Sequence, residues 1–282
     1  MINHKILNVI GYVLFFLGLS MLFSAAWSYH FSENDLYSIL LSSFITSIIG
    51  LILIFYSNMI IIRRFPFIKF KFNQKFDLSA RDGYILVTLS WILMSIFSAL
   101  PFYFYSVYLF DSHPFSSYIN CFFESISGLT TTGATILNTF QIDTAPKGLL
   151  FWRSFTHFIG GIGIIVFSIA ILPLLGFGGV QLFRAEVAGP VADKLTPRVQ
   201  QTAKLLWSIY IGLILSQTII LMIEGLDFYD SLTHSFSTIA TGGFSNHSDS
   251  IEHFSPIVQY TIIFFMIVAA TSFSLHFLAV SK

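Results

Sequence analysis

Two short polar stretches carry the residue types able to handle an ion. Ser127 to Thr135 reads Ser-Gly-Leu-Thr-Thr-Thr-Gly-Ala-Thr, and Ser237 to Ser245 reads Ser-Thr-Ile-Ala-Thr-Gly-Gly-Phe-Ser. Gly243 falls under Gly133 without a gap, and the same offset pairs Ser125 with Ser235, Ser127 with Ser237 and Thr131 with Thr241. Each stretch interrupts strongly apolar sequence, so neither continues a plain membrane helix. Non-helical backbone at membrane depth persists only where protein buries it or where it lines a watery cavity. Carbonyl oxygens held in rings can replace the water shell of a cation, and glycine reaches the dihedrals that turn successive carbonyls inward. The candidates for such a filter are Thr131, Thr132 and Gly133 in the first stretch and Thr241, Gly242 and Gly243 in the second. A glycine-capped helix end, with threonine hydroxyls satisfying local backbone, would account for one such motif standing alone. Two in register favour an ion path.

The elements that must hold these stretches follow from composition. Of the 282 residues 55% are hydrophobic and only 10% charged, against about 25% charged in a soluble domain. The fold class expected is therefore an all-α integral membrane protein. Six apolar segments, at about 6–28, 36–62, 83–109, 149–177, 203–224 and 256–280, suffice to cross roughly 30 Å of hydrocarbon at about 1.5 Å per residue. Two more, at about 114–128 and 228–239, are too short to cross, and each directly precedes a Thr/Gly stretch. The order span, half-helix, interruption, span thus occurs twice. The expected organisation is a leading transmembrane pair with its cytoplasmic linker at 1–80, a first pore repeat at 81–180 and a second at 181–282. Met1 leads into a segment too long for a signal peptide's apolar region and is expected to start a retained span.

Orientation follows from Lys and Arg. Apart from Lys147 and Arg153, all 14 basic residues lie at the termini, between spans two and three, or between spans four and five. That side is the cytoplasmic one by the positive-inside rule, which puts the N-terminus in the cytoplasm of a multi-pass plasma-membrane protein. Of the 14 acidic residues only Asp77, Asp82, Glu186 and Asp193 share it. Both Thr/Gly stretches then open toward an acidic exterior that concentrates cations over about 8 Å at physiological salt. Tyr29, Trp91, Tyr103, Trp152, Trp207 and Tyr229 fall near membrane boundaries, where interfacial anchoring is expected. The lone Cys121 excludes an internal disulfide and reads as a packing residue. Nothing in the sequence points to nucleic acid, a cofactor or a transition-metal site. A membrane-embedded enzyme would need paired carboxylates, a histidine cluster or a nucleophile beside a base, and none is evident.

Five blocks together resemble the Trk/Ktr/HKT superfamily of potassium transporters, and within it the bacterial Trk-type membrane subunit. They are 127–135, Ile-Gly-Gly-Ile-Gly-Ile-Ile-Val at 159–166, Leu-Thr-Pro-Arg at 195–198, Ala-Thr-Gly-Gly-Phe-Ser at 240–245 and Ser-Phe-Ser-Leu-His-Phe at 272–277. The resemblance implies a pseudo-fourfold pore built from span, pore-helix, filter, span repeats, with Gly133 and Gly243 as filter glycines and K⁺ as the transported ion in a bacterial inner membrane. It also implies cytoplasmic nucleotide-binding regulatory subunits as partners. The family pattern has four repeats, whereas this sequence holds two, half of the ring. The expectation is a truncated chain that works as a homodimer or with the missing repeats; the alternative is a non-conducting half-protein that associates with other transporter subunits.

Three further residues stand close to the filter stretches. Glu124 precedes the first, and either tunes cation occupancy or braces the pore helix by hydrogen bonding. Arg153 either snorkels to the interface or pairs with Glu124. His234 occupies the position of Glu124 in the second repeat, consistent with a shared bracing role. His157 and His276 read as packing histidines, and Gly160, Gly161, Gly163, Gly176, Gly178 and Gly179 as sites of close helix approach.

Overall fold

The computed structural model describes residues 4–64, 80–109, 114–171, 199–271 and Leu275. Four of its helical stretches, at 4–31, 36–59, 81–107 and 205–223, are long and apolar enough to cross a membrane. The chain is an all-α membrane protein. It divides into two compact units, residues 1–122 and 123–282. The expected basic linker at 65–79, most of the inner loop at 181–204, Gly176, Gly178, Gly179, His276 and Lys282 lie outside the described residues.

The first unit opens with a hairpin of α1 (His4–Phe31) and α2 (Leu36–Arg64). Lipid gives apolar helices no hydrophobic reason to associate, so small residues and interhelical hydrogen bonds must do it. A methyl group on Gly11 would come within 2.8 Å of the Gly50 carbonyl oxygen, and one on Gly50 within 2.5 Å of the Phe15 amide. The backbones meet because neither side chain is there. Polar bonds then lock the register: Ser43 Oγ donates to the Gly18 carbonyl at 2.7 Å, Ser57 Oγ to that of His4 at 2.6 Å, and Asn8 to Asn58 at 3.1 Å. Ser28 closes the turn on the buried Asp35.

The third apolar segment, expected as one span, is long and apolar enough to cross as 81–107, and it is interrupted at Ala99, where α3 (Ala80–Ser98) meets α4 (Leu100–Leu109). Pro101 is the cause. It has no amide hydrogen to donate and its ring crowds the preceding turn. A 3₁₀ turn at Pro114–Ser116 then leads into the first short helix, α5 (Tyr118–Leu129). Asn120 Nδ2 ties that turn down at 2.8 Å from the Pro114 carbonyl, and the fully buried Cys121 reaches the Phe115 carbonyl at 3.1 Å.

The second unit carries α6 (Thr139–Thr144), α7 (Lys147–Ile171), α8 (Val199–Ile223), α9 (Phe228–Ile239) and α10 (Pro256–Ala270). α6 was not expected. A reciprocal capping box starts it: the Asn138 side chain accepts from the Gln141 amide at 2.9 Å, and the Gln141 side chain accepts from the Asn138 amide at 3.0 Å. α8 ends at Gly225, whose φ of +103° lets the Leu226 amide bond back to the Leu221 carbonyl at 3.1 Å. Leu221 and Leu226 then pack with Val258, Ile262 and Phe254, joining α8 to α10. Asp227 caps α9 by accepting from the Asp230 amide at 2.7 Å. Near its start α7 is enclosed rather than interfacial, since Leu149 to Phe155 are all buried. Trp152 and Tyr229, expected as interfacial anchors, are instead 0% and 3% exposed. Tyr229 spends its hydroxyl on the Lys147 carbonyl at 2.7 Å. Tyr29, 75% exposed, remains free to lie at an interface.

Candidate functional site

Both short helices end in the same way, residue for residue. At the end of α5 the Thr131 amide bonds to the Gly128 carbonyl at 3.0 Å and the Thr132 amide to that of Ser127 at 2.9 Å. At the end of α9 the Thr241 amide bonds to the Thr238 carbonyl at 3.0 Å and the Gly242 amide to that of Ser237 at 2.8 Å. This is the two-bond Schellman ending, which needs one residue in the left-handed region. Glycine usually fills that place. Here Thr131 (φ +53°) and Thr241 (φ +55°) fill it, although a β-branched residue is a true outlier there. Two residues further on, Gly133 (φ +75°) and Gly243 (φ +88°) turn the chain again.

The outgoing strands are also held alike. Thr135 Oγ1 accepts from the Leu137 amide at 3.1 Å, and Ser245 Oγ accepts from the His247 amide at 3.1 Å. Each hydroxyl is gripped in turn by the preceding helix. Thr135 donates to Glu124 Oε1 at 2.8 Å, while Ser245 lies 3.1 Å from His234 Nε2. His234 Nδ1 is 2.8 Å from the Asp230 carbonyl. That carbonyl can only accept, so Nδ1 carries a hydrogen; burial holds the His234 pKa below its ordinary value, so at neutral pH the ring is uncharged and Nε2 accepts from Ser245.

The two loops meet through their glycines. A methyl group on Gly133 would collide with the Gly242 carbonyl oxygen and lie 3.7 Å from Gly243 Cα; one on Gly242 would strike the His157 ring; one on Gly243 would meet nothing. Of the six predicted filter residues, Thr132, Thr241 and Gly243 are exposed, Thr131 and Gly133 half-buried and Gly242 buried. The site is thus an open face lined by glycine and threonine backbone, with Gly242 as its floor.

One helix supports both loops from behind. Along α7, Gly160 makes room for the Leu129 carbonyl, since a methyl group there would collide with it, and Thr156 occupies the space left by Gly128. His157 Nδ1 lies 3.3 Å from Ser237 Oγ, and its ring stacks on Phe244 with centroids 4.2 Å apart. Arg153, 3% exposed, pairs its Nε with Glu124 Oε1 at 2.6 Å and donates from Nη1 to the Ser245 carbonyl at 2.8 Å. Its guanidinium also lies 3.6 Å from the centre of the Phe244 ring. Of the two accounts of Arg153, snorkelling and pairing, the geometry is that of the pair. Gly161 approaches Tyr210 on the opposite side, where a methyl group would sit 2.5 Å from its hydroxyl.

Further along the chain, loop two is tied to α6. Asp143 accepts from the Ser248 amide at 3.0 Å and from its hydroxyl at 2.7 Å, which holds the Asp143 carboxyl below the usual carboxylate range. His247 Nε2 bonds to Asp230 Oδ2 at 3.1 Å, and that bond raises the His247 pKa above its ordinary value. His157, expected as a packing histidine, packs on Phe244 and meets Ser237; Phe244 and Ser245 stand out in the sequence only within their motif, and Asp143 had no expected role. The repeat alignment, which sets Thr135 against Ser245, is the one signal that could have drawn attention to the bracing hydroxyls.

A model of the TrkH family, described as cation transport protein, matches residues 49–282. The chain belongs to this family. Among relatives of this family member is the Trk system potassium uptake protein TrkH of Vibrio parahaemolyticus, 44% identical over 209 residues, 73% of this chain and 41% of that protein. The protein of the same name in Escherichia coli is 44% identical over 207 residues, with the same two coverages, 73% and 41%. The E. coli Trk system potassium uptake protein TrkG is 38% identical over 208 residues, covering 73% of this chain and 41% of its own length. The crystal structure of the potassium transporter TrkH from V. parahaemolyticus matches with a TM-score of 0.78 at 32% identity, over 98% of this chain and 52% of that one. The chain therefore spans about two fifths of the length of the relatives it matches in sequence. Family members are transporters, not enzymes.

Proposed function

We propose that this chain supplies two filter loops of a potassium uptake pore in a bacterial inner membrane, with its N-terminus in the cytoplasm. The carbonyls and hydroxyls of Thr131, Thr132, Gly133, Thr241, Gly242 and Gly243 take the place of water around K⁺. The observation that carries this reading is the pair of identically built helix endings that face each other through Gly133 and Gly242. Threonine in the left-handed region costs about 1–2 kcal/mol, and strain repeated at two equivalent positions is typical of functional sites. The carboxyl-terminal ends of α5 and α9 each present about half a negative charge to the same place. The names of the relatives support potassium as the ion. Repeats at 81–180 and 181–282, preceded by a leading pair at 1–80, form half of the ring. Two loops face a cation from two sides only, so further filter loops complete the cage in the working transporter. Glu124, Arg153 and His234 brace the outgoing strands, and the basic inner face receives nucleotide-binding regulatory subunits.

Rubidium and sodium uptake into potassium-starved cells tests this reading. Cells in which the chain functions take up rubidium in preference to sodium. Gly133→Ser and Gly243→Ser each lower that preference, because a side chain distorts backbone held at positive φ. An unchanged preference in conducting variants would remove the filter assignment.

A further inference from the structure

Arg153 reaches both loops at once, the second directly and the first through Glu124. Its Nε bonds to Glu124 Oε1, the oxygen that also receives the Thr135 hydroxyl, while Glu124 Oε2 accepts from the Ile136 amide at 3.1 Å. Its Nη1 bonds to the Ser245 carbonyl, and the plane of its charge rests against Phe244. A continuous chain of short, charge-assisted contacts thus runs from Thr135 and Ile136, through Glu124 and Arg153, to Phe244 and Ser245. It attaches to each loop two residues beyond its filter glycine.

Among the described residues the second repeat has no equivalent of the Glu124–Arg153 pair. The residue equivalent to Glu124 is His234, which braces its own loop as a neutral ring, and the residue equivalent to Arg153 is Ile263, 43% exposed. The hydroxyl of an outgoing strand can therefore be held without charge. The ion pair does something the neutral brace does not: beside the backbone contact of the glycines, it adds a buried side-chain link from one loop to the other.

Resting on the filter reading above, we infer that Arg153 is a positioning residue: its fork sets the spacing of the two filter loops and thereby the discrimination between potassium and sodium. Carbonyls that replace an ion's water shell act through their number and placement, so whatever fixes the two loops beyond their glycine contact bears on which ion they hold. Arg suits the task because its planar fork satisfies two acceptors in fixed directions, whereas Lys offers a point charge on a flexible stem. The pair is also neutral overall. It can tighten the frame without placing an uncompensated charge beside the ion.

The test is the ratio of rubidium to sodium uptake in potassium-starved cells, read together with the amount and thermal stability of the purified protein. Arg153→Lys keeps the charge and loses the fork; the ratio falls by about fivefold or more, the equivalent of roughly 1 kcal/mol, with sodium uptake rising relative to rubidium. Glu124→Gln shifts the ratio in the same direction. Phe244→Leu keeps the hydrogen bonds and removes the ring, and lowers the ratio by about twofold to threefold; it serves where either of the other variants fails to fold. A merely structural role predicts parallel loss of both cations along with folded protein, and that outcome, or an unchanged ratio in folded protein, overturns the inference. If Gly133→Ser changes the ratio but Arg153→Lys does not, only the spacing role fails. If neither does, the filter reading itself is at fault.

Discussion

The loops after α5 and α9 share one backbone and differ in what holds it. Both have the Schellman ending, a left-handed threonine, a left-handed glycine two residues on, and a hydroxyl that caps the amide two residues after itself. The first hydroxyl is held by a buried carboxylate neutralised from α7, the second by an uncharged imidazole. Backbone hydrogen bonding therefore specifies the shape, and side chains are exchangeable as long as the acceptor for that hydroxyl survives. The surroundings are not exchangeable. A methyl group on Gly133 has no room, and one on Gly243 meets open space.

The sharpest way to break this comparison is to remove one brace at a time. Glu124→Leu strands the buried guanidinium and costs about 3–5 kcal/mol, whereas His234→Leu loses neutral hydrogen bonds worth about 1–2 kcal/mol. Thermal unfolding in detergent should rank them in that order; equal losses would mean that the ion pair adds nothing to the first loop. The glycines come next. Gly133→Ala, which forces a collision on top of unfavourable φ, should cost about 3 kcal/mol or more, and Gly243→Ala only the φ penalty of about 1–2 kcal/mol. A smaller effect of opposite sign is expected at the helix ends: Thr131→Gly and Thr241→Gly each relieve about 1 kcal/mol of left-handed strain while weakening rubidium preference. A gain in stability with unchanged preference would show that these threonines are strained for some other reason.

The smallest expected effect is one of pH, and it separates the loops most cleanly because the first has no histidine. The bond to Asp230 raises the His247 pKa, with Asp249 and Asp143 adding to the field and His253 stacked at 4.3 Å. A raised pKa means that the stabilisation is fully present below about pH 6.5, the unfolded value, and is lost as pH rises through the folded one. His247 is partly exposed, so the change is under about 1 kcal/mol. Amide exchange at 245–253 should accelerate between pH 6 and pH 8 while 130–137 stays constant once intrinsic rates are removed. Asp143 behaves oppositely. With its pKa lowered by Ser248, its contribution is present above about pH 3.8 and lost as pH falls through the folded value.

Much of this arrangement can be read from the chain. The gap-free pairing of Gly133 with Gly243 locates both loops, and the shortness of the apolar runs before them marks α5 and α9. Pro101 announces the break between α3 and α4, and Asn138 with Gln141 spells a capping box, though a six-residue helix is too brief to impose a periodicity. What could not be read is the choice of Arg153. Its carbonyl partner on Ser245 lies 92 residues away, and an arginine at the edge of a span has the same local sequence whether it reaches water or a neighbouring loop. Likewise Trp152 and Tyr229 look like interfacial residues until it is known that α7 is covered on all sides at that level.

The placement of Arg153, Thr156, His157 and Gly160 on a single rod against both loops has a mechanical corollary. A tilt or slide of α7 would bear on both loops together rather than on one by itself. Whatever acts on the far end of that rod is geared to the pair of them as one part.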